Sequence, residues 1–316
     1  MQPMSPKPVC SIIIRAYNEE KHISRLLTGI AEQSVKDVQI ILVDSGSTDG
    51  TVEQAQKFGV EVVHIPPEEF TFGHALNVGI EQASSDLIVM ASAHVYPVYP
   101  DWLETLLAPF KDKNVALTYG KQRGSDSTHF SELQIFQHWY PDHSAPQQPF
   151  PFCNNANAAI RRALWQVHPY DESLTGLEDL AWAKWAQENG SSIHYIAEAE
   201  VIHVHNESTA GIYNRYKREG MAFKRIFPQE KFSALDLLTH FLQNVFSDWG
   251  QAARAHKFWQ VAFKVMRFRW LQFYGTYQGY KQSGPLTWQL RKAFYYPRTA
   301  VEPKTTQRKV QPIRYN

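Results

Sequence analysis

Val9-Cys10-Ser11-Ile12-Ile13-Ile14 is a strand-length apolar run, and Arg15-Ala16-Tyr17-Asn18-Glu19-Glu20 follows it with a polar exit and an amphipathic segment reaching from Glu19 to about Gln33. The same order then repeats. A second strand is predicted from Val38 to Val43, followed by the turn-rich stretch Asp44 to Gly50 and a helical segment from Thr51. Strand Val60 to Ile65, helix His74 to Gln82, strand Leu87 to Met90, helix Asp101 to Phe110 and a strand from Val115 complete the series. Short apolar runs alternating with helical patterns predict an α/β fold: a Rossmann-like, mostly parallel central sheet with helices on both faces. Ligands of such sheets sit beyond the carboxyl ends of the strands, so chemistry is expected after Ile14, Val43 and Met90.

A chain of 316 residues, 43% hydrophobic and 20% charged, is long enough to bury a large core and excludes disorder throughout. The early apolar run is too short for a leader or a membrane span, so the protein is expected to stay where it is made. Cys10 and Cys153 lie far apart without metal spacing and read as buried small hydrophobes in a reducing compartment. Net charge is unevenly spread. Residues 251–316 hold 13 Lys/Arg against one acid, Glu302, which makes that segment +12 and residues 1–250 −11. Such a tail suits an anionic neighbour: nucleic acid, a phospholipid surface or a phosphorylated lipid. Between Lys257 and Gln272 a basic stripe (Lys257, Gln260, Lys264, Arg267) opposes an apolar face (Phe258, Val261, Ala262, Val265, Phe268), with aromatics crowded around it. That helix either docks on anionic lipid or packs its apolar face on the catalytic domain. No nucleic-acid-binding module accompanies the basic residues, so nucleic acid is not expected as a partner.

Asp44 at a strand exit can accept hydrogen bonds from a base or ribose, while Ser45 and Gly46 let a ligand approach the backbone; a solvated, capped turn would look the same. Glu178-Asp179 opens a helical segment, where carboxylates also serve as ordinary first-turn charges. His203 and His205 alternate along a strand-like run and are expected to share a face. The stretch from Gly124 to Pro151 is too long for a simple connection and reads as a functional loop or lid.

Ser11 to Glu20 and Val43 to Thr51 together resemble the opening of family 2 glycosyltransferases with the GT-A fold. The resemblance continues through Gly73-His74-Ala75-Leu76-Asn77-Val78-Gly79, Tyr119-Gly120-Lys121-Gln122, Asn154-Asn155-Ala156-Asn157-Ala158, Gly176-Leu177-Glu178-Asp179 and Val201-Ile202-His203-Val204-His205. It thus covers roughly residues 9 to 220. The segments around Tyr119 to Gln122 and Cys153 to Arg162 are also similar to those of bacterial rhamnosyltransferases. The resemblance implies a donor-binding half over residues 1–117, an acceptor-binding and catalytic half over 118–220, and a helical, basic extension over 221–316. It implies a nucleotide-sugar pocket from Ala16, Tyr17, Glu19, Asp44 and Ser45, with His74 and Asn77 near the nucleotide. Asp179 corresponds to the family's general base and Glu178 to an acceptor-binding or loop-orienting neighbour.

The family's Asp-x-Asp, which holds a divalent cation against the donor diphosphate, is replaced by Ser92-Ala93-His94. Losing two carboxylates weakens a site for Mg²⁺, whereas imidazole suits Mn²⁺, so a cation, if used, is expected to be Mn²⁺ on His94 and His205 with Ser92 near the phosphates. Protonated His94 can alternatively face the diphosphate as a cation, or His94 can be structural. The implied function is an inverting glycosyltransferase acting on a glycan or lipid-linked acceptor in surface-polysaccharide synthesis. It is expected at the inner face of a membrane, peripheral and cytoplasmic. A catalytically silent GT-A domain serving as a binding subunit is the competing reading, motivated by the missing Asp-x-Asp.

Overall fold

Six of the seven residues of β1 (Cys10–Ala16) are buried, as a strand covered on both faces requires. It lies inside an eight-stranded sheet with β2 (Val38–Asp44), β3 (Glu61–His64), β4 (Leu87–Ser92), β5 (Val95–Pro97), β6 (Val115–Gly124), β7 (Asn157–Arg161) and β8 (Ser192–His203), in the order β3-β2-β1-β4-β7-β6-β8-β5. The computed structural model describes residues 7–284. Strands β3, β2, β1 and β4 are mutually parallel. The rest is mixed: β7 pairs antiparallel with β4 and β6, β6 and β8 are parallel, and β5 is antiparallel to β8. The parallel half matches expectation. The departure arises because the chain between β6 and β7 leaves and re-enters at the same end of the sheet, which a parallel neighbour could not do.

Two apolar layers cover the sheet. Ile12 and Ile14 point toward α1 (Glu20–Ala31) and α4 (Trp102–Leu107), meeting Ile23, Leu26, Trp102 and Leu106. Ile13 points to the opposite side, toward Leu76 and Ile80 of α3 (Phe72–Glu81) and Trp182 of α7 (Glu178–Glu188). At Gly79 the helix α3 comes so close to the sheet that a Cβ would collide with Ile13 and Val43. Short α2 (Thr51–Gln56) follows β2, and α6 (Arg162–Val167) follows β7. Both cysteines are buried and free, and burial pushes the Cys10 thiol up to about 12.

The long segment after Gly124 is no plain loop: it contains α5 (Phe130–Trp139), which packs against β6. Beyond the sheet come α8 (Thr209–Ile226), α9 (Ala234–Arg254) and α10 (Phe258–Lys281). Gly275 and Gly279 lie against the backbone carbonyls of Tyr213 and Lys217, leaving no room for a Cβ where α8 and α10 touch. Helices α9 and α10 form an antiparallel hairpin, with ring contacts Phe232–Tyr280 at 5.6 Å and Trp249–Phe258 at 5.8 Å at its two ends. The expected helix starting at Lys257 is therefore real and longer, and its Val265 and Phe268 face the protein interior. Arg269 is no part of a basic surface. It is buried and holds Asp248 through two bonds of 2.8 Å. Among the described residues no helix is long and apolar enough to cross a membrane. Seven of the tail's basic residues, from Arg291 on, lie outside the described residues.

Candidate active site

The carboxyl ends of β1, β2 and β4 deliver Ala16, Asp44 and Ser92 to one edge of the sheet, because these strands are parallel and in register. The two polar segments that follow β1 and β2 interlock. Asn18 N–H donates to Ser47 Oγ at 2.9 Å, Thr48 N–H to Asn18 Oδ1 at 2.8 Å, and Glu19 N–H to Thr51 Oγ1 at 2.7 Å. Asn18 adopts the left-handed conformation, φ +55°, that this clasp demands. The buried Asp44 carboxylate accepts from Gly46 and Ser47 N–H and lies 3.2 Å from His64 Nδ1. Ser45 N–H and Oγ both donate to Ala16 O. Tyr17 is half-buried beside them.

His74 and Asn77 on α3 serve another connection. Asn77 Nδ2 donates to Tyr170 O and Glu172 Oε1, and its Oδ1 accepts from Trp165 Nε1 and Tyr170 N–H. Both donors and both lone pairs of this amide are filled by protein groups, so Asn77 ties α3 to the segment before α7 and has nothing left for a nucleotide. His74 Nδ1 lies 3.0 Å from Glu172 Oε2 in the same connection.

Three histidines from distant positions converge. β5 pairs with β8 so that Val95 faces His203, and Val204 N–H donates to His94 O, which places the turn after β4 against the end of β8. His205 lies just beyond the strand, yet its Nε2 is 3.0 Å from that of His203. Each ring has its Nδ1 engaged: His94 with Glu19 Oε1 at 2.8 Å, His203 with Gln122 Oε1 at 2.7 Å, and His205 with Glu132 Oε1 at 2.8 Å. Nδ1 anchored by an oxygen acceptor leaves Nε2 as the nitrogen that can face an ion, the arrangement that metal-bound imidazoles adopt, and in this structure the Nε2 atoms of His203 and His205 face each other. One ligand atom from each histidine falls within 4.8 Å of the others, and Glu132, His205 and Glu207 form an overlapping group at the same spacing. Burial and the neighbouring His205 and His94 hold His203 well below its usual range, hence neutral. Burial alone would lower His94, but the Glu19 carboxylate carries it upward. Glu132 would be raised by burial, yet Arg215 and His205 hold it at about 2, and its Oε2 has no hydrogen-bond partner among the described residues.

Across β1 sits the carboxylate pair. Helix α7 starts after Leu177, itself left-handed at φ +56°, a conformation costly for a branched residue. Glu178 Oε1 accepts from Arg15 Nη1 at 3.2 Å and Asn155 Nδ2 at 3.3 Å. Asp179 accepts Asn155 N–H at Oδ2, 3.1 Å, and Leu180 N–H at Oδ1, 2.8 Å. Burial first, and the negative charge of Glu178 second, push Asp179 up to about 7 against the pull of these N–H groups and Arg15. A buried carboxylate of this kind is suited to taking a proton near neutral pH.

Arg15, Gln122, Glu132 and Asn155 were not singled out in the sequence, although three stand inside its quoted motifs. Glu132 carried no signal: α5 lies in a stretch without clear periodicity.

Residues 11–167 match the family model described as glycosyl transferase family 2, and the chain is a glycosyltransferase carrying a domain of that family. It is 26% identical over 226 residues to the O-antigen chain rhamnosyltransferase WbaN of Salmonella anatum, covering 68% of this chain and 72% of the relative. To the O-antigen chain rhamnosyltransferase RfbN of Salmonella typhimurium it is 24% identical over 223 residues, 67% of this chain and 71% of the relative. The mannosyltransferase PcManGT of Pyrobaculum calidifontis, solved with GDP-Man and Mn²⁺, superposes with a TM-score of 0.61 over 88% of both chains at 17% identity, a likeness of fold.

Proposed function

We propose that this glycosyltransferase moves a sugar from a nucleotide-sugar donor to a hydroxyl of a glycan or lipid-linked acceptor, with inversion, in the assembly of a surface polysaccharide. The buried Asp179 carboxylate, pushed up to about 7 and oriented by two backbone N–H groups, carries this reading. The donor lies beyond the carboxyl ends of β1, β2 and β4, in the half formed by residues 1–117. Asp44 and Ser45 meet the base and ribose, with Ala16 and Tyr17 lining the approach. The acceptor enters from the half formed by residues 118–220, and Asp179 takes its hydroxyl proton as oxygen attacks the anomeric carbon. Glu178, paired with Arg15, keeps the start of α7 in place and gives Asp179 a fixed negative neighbour.

A divalent cation fits the histidine cluster. His94, His203 and His205, with the unpartnered Glu132 Oε2 beside them, are a mainly nitrogen donor set, which suits Mn²⁺ better than Mg²⁺. Bound there, it would neutralise the charge of the departing nucleoside diphosphate. Glu19 then acts on His94 as well as lying beside the donor, and Ser92 faces the phosphates. The replacement of Asp-x-Asp that motivates a silent scaffold is met by this imidazole set, and the costly carboxylate pair speaks for catalysis. The protein works as a peripheral enzyme at the inner membrane face.

A panel of nucleotide sugars with Mn²⁺, read by thermal stability, tests the donor site: a ligand at a hundred times its Kd adds about 2.7 kcal/mol. Product configuration read by NMR tests inversion. Retention, or no shift with any donor, overturns the reading.

A further inference from the structure

Helices α9 and α10 leave a large apolar surface uncovered. Of the large hydrophobic residues exposed in the described chain, most belong to this one hairpin. On α9 they are Leu235, Leu238, Leu242 and Phe246, 49–72% exposed and spaced three or four apart, so they form a single stripe. On α10, Trp259, Phe263, Met266 and Trp270 repeat at the same spacing, with Trp259 92% and Phe263 72% exposed. Trp270 also contacts Phe241 of α9 at 5.5 Å, which ties the stripe of α10 to the neighbouring helix. Other positions of the two helices are committed: Val245, Asp248, Val265 and Phe268 are buried, and Arg269 bonds both Asp248 and, at 3.4 Å, Ser131 O of α5. The hairpin is thus anchored to the catalytic domain by one side and open on the other.

Charge selects the occupant. Going around α10 from the apolar stripe, Arg267, Lys264 and Lys257 come next, all exposed, and Asp236 and Asp248 are the only acids of the two helices. Asp236 is spent on the Ser233 capping box and Asp248 on Arg269. Where the hairpin ends, Lys231, Lys281, Tyr277 and Tyr280 line a cavity of about 420 Å³. An apolar stripe rimmed by cations is the composition of a helix lying in a lipid headgroup layer. A second copy would set Lys264 and Arg267 against like charges. Residues 285–316 carry seven further basic residues and one acid, so they repeat this charge rather than complement it.

We infer that the open face of the α9–α10 hairpin inserts its two apolar stripes into an anionic lipid monolayer, with Lys257, Lys264 and Arg267 on the headgroups. This rests on the peripheral-membrane reading above and assigns it to a face. It also changes what holds the protein there. The basic stripe alone would be released by salt, whereas inserted Trp and Phe side chains hold through it.

The full chain is mixed with vesicles of phosphatidylglycerol and phosphatidylcholine at low and high salt, beside variants F246S/W259S/F263S and K257Q/K264Q/R267Q, with unchanged circular dichroism required of each. The full chain is expected to sediment with the vesicles at both salts. The apolar variant is expected to lose at least about 100-fold in partitioning at both, since each buried aromatic contributes tenfold or more. The basic variant is expected to lose affinity chiefly at low salt. Brominated lipid should quench tryptophan fluorescence in the full chain, and W259F should remove part of that quenching. If the full chain binds and the apolar variant binds equally, the face is wrong while the membrane reading stands. If the full chain ignores vesicles and light scattering finds a dimer that the apolar variant lacks, the face is a self-interface and both inferences fail.

Discussion

Asp179→Asn removes a carboxylate whose burial the protein tolerates at evident cost, and the structure sets the size of the effect. Asp179 titrates near 3.8 when solvated and at about 7 in the fold, a rise of about 3 pH units. At 1.36 kcal/mol per unit, keeping it ionised above pH 7 costs the native state about 4 kcal/mol. A native pKa raised above the unfolded one means that folding takes up a proton, so the contribution is most favourable below pH 4 and is lost as pH rises through about 7. Asparagine has no such dependence. It has only one oxygen for the two N–H groups of Asn155 and Leu180, which costs about 1–3 kcal/mol at any pH. The stability of the variant relative to the parent should therefore grow by about 2–3 kcal/mol between pH 5 and pH 8, whatever the constant offset. Urea denaturation at the two pH values measures this difference directly. In parallel, transfer should fall about 10²–10⁴-fold while donor binding stays, and the parent's kcat should rise with pH through about 7 and then level off. An equal stability gap at pH 5 and pH 8, or transfer near the parental rate, would refute the reasoning.

Replacing His94 or His205 by Ala should weaken Mn²⁺ binding measured by calorimetry, and Glu132→Gln should weaken it about 10–100-fold through His205 without touching free-nucleotide binding; an unchanged metal Kd in all three removes the site. Asp44→Ala should weaken binding of the free nucleotide as much as that of the nucleotide sugar, and lower stability by about 1–2 kcal/mol because Gly46 and Ser47 lose their acceptor. Loss confined to the acceptor would contradict that placement. Arg269→Met leaves Asp248 buried without a partner and should cost about 3–5 kcal/mol in denaturation experiments, whereas Arg267→Met on the exposed side should shift stability by less than about 0.5 kcal/mol.

Much of the first four strands was legible because parallel strands buried on both faces must be short continuous apolar runs, and their exits must be polar. Val9 to Ile14, Val38 to Val43 and Leu87 to Met90 all became strands, within two residues of the expected ends. The stretch from residue 118 to 220 was harder to read. Its β7 is five residues long, its α5 has no strong periodicity, and the antiparallel insertion of β7 follows from a chain path that no local pattern records. Asn77, expected beside the nucleotide, is consumed by four bonds to Trp165, Tyr170 and Glu172, partners about 90 residues away.

By itself the sequence determined the α/β class and the loops that bear chemistry, since periodicity and strand-exit motifs are local properties of a chain; Asp179 as candidate base came from the family resemblance of Gly176 to Asp179. Only the tertiary structure decided that His94, His203 and His205 share one cluster, because they meet through the β5–β8 pairing and are anchored by Glu19, Gln122 and Glu132 from three other elements. It also decided which side of α10 is open. Amphipathic spacing marks two contrasting sides, but the neighbours α8 and α9, held by Gly275, Gly279 and the Asp248–Arg269 pair, choose which one is covered.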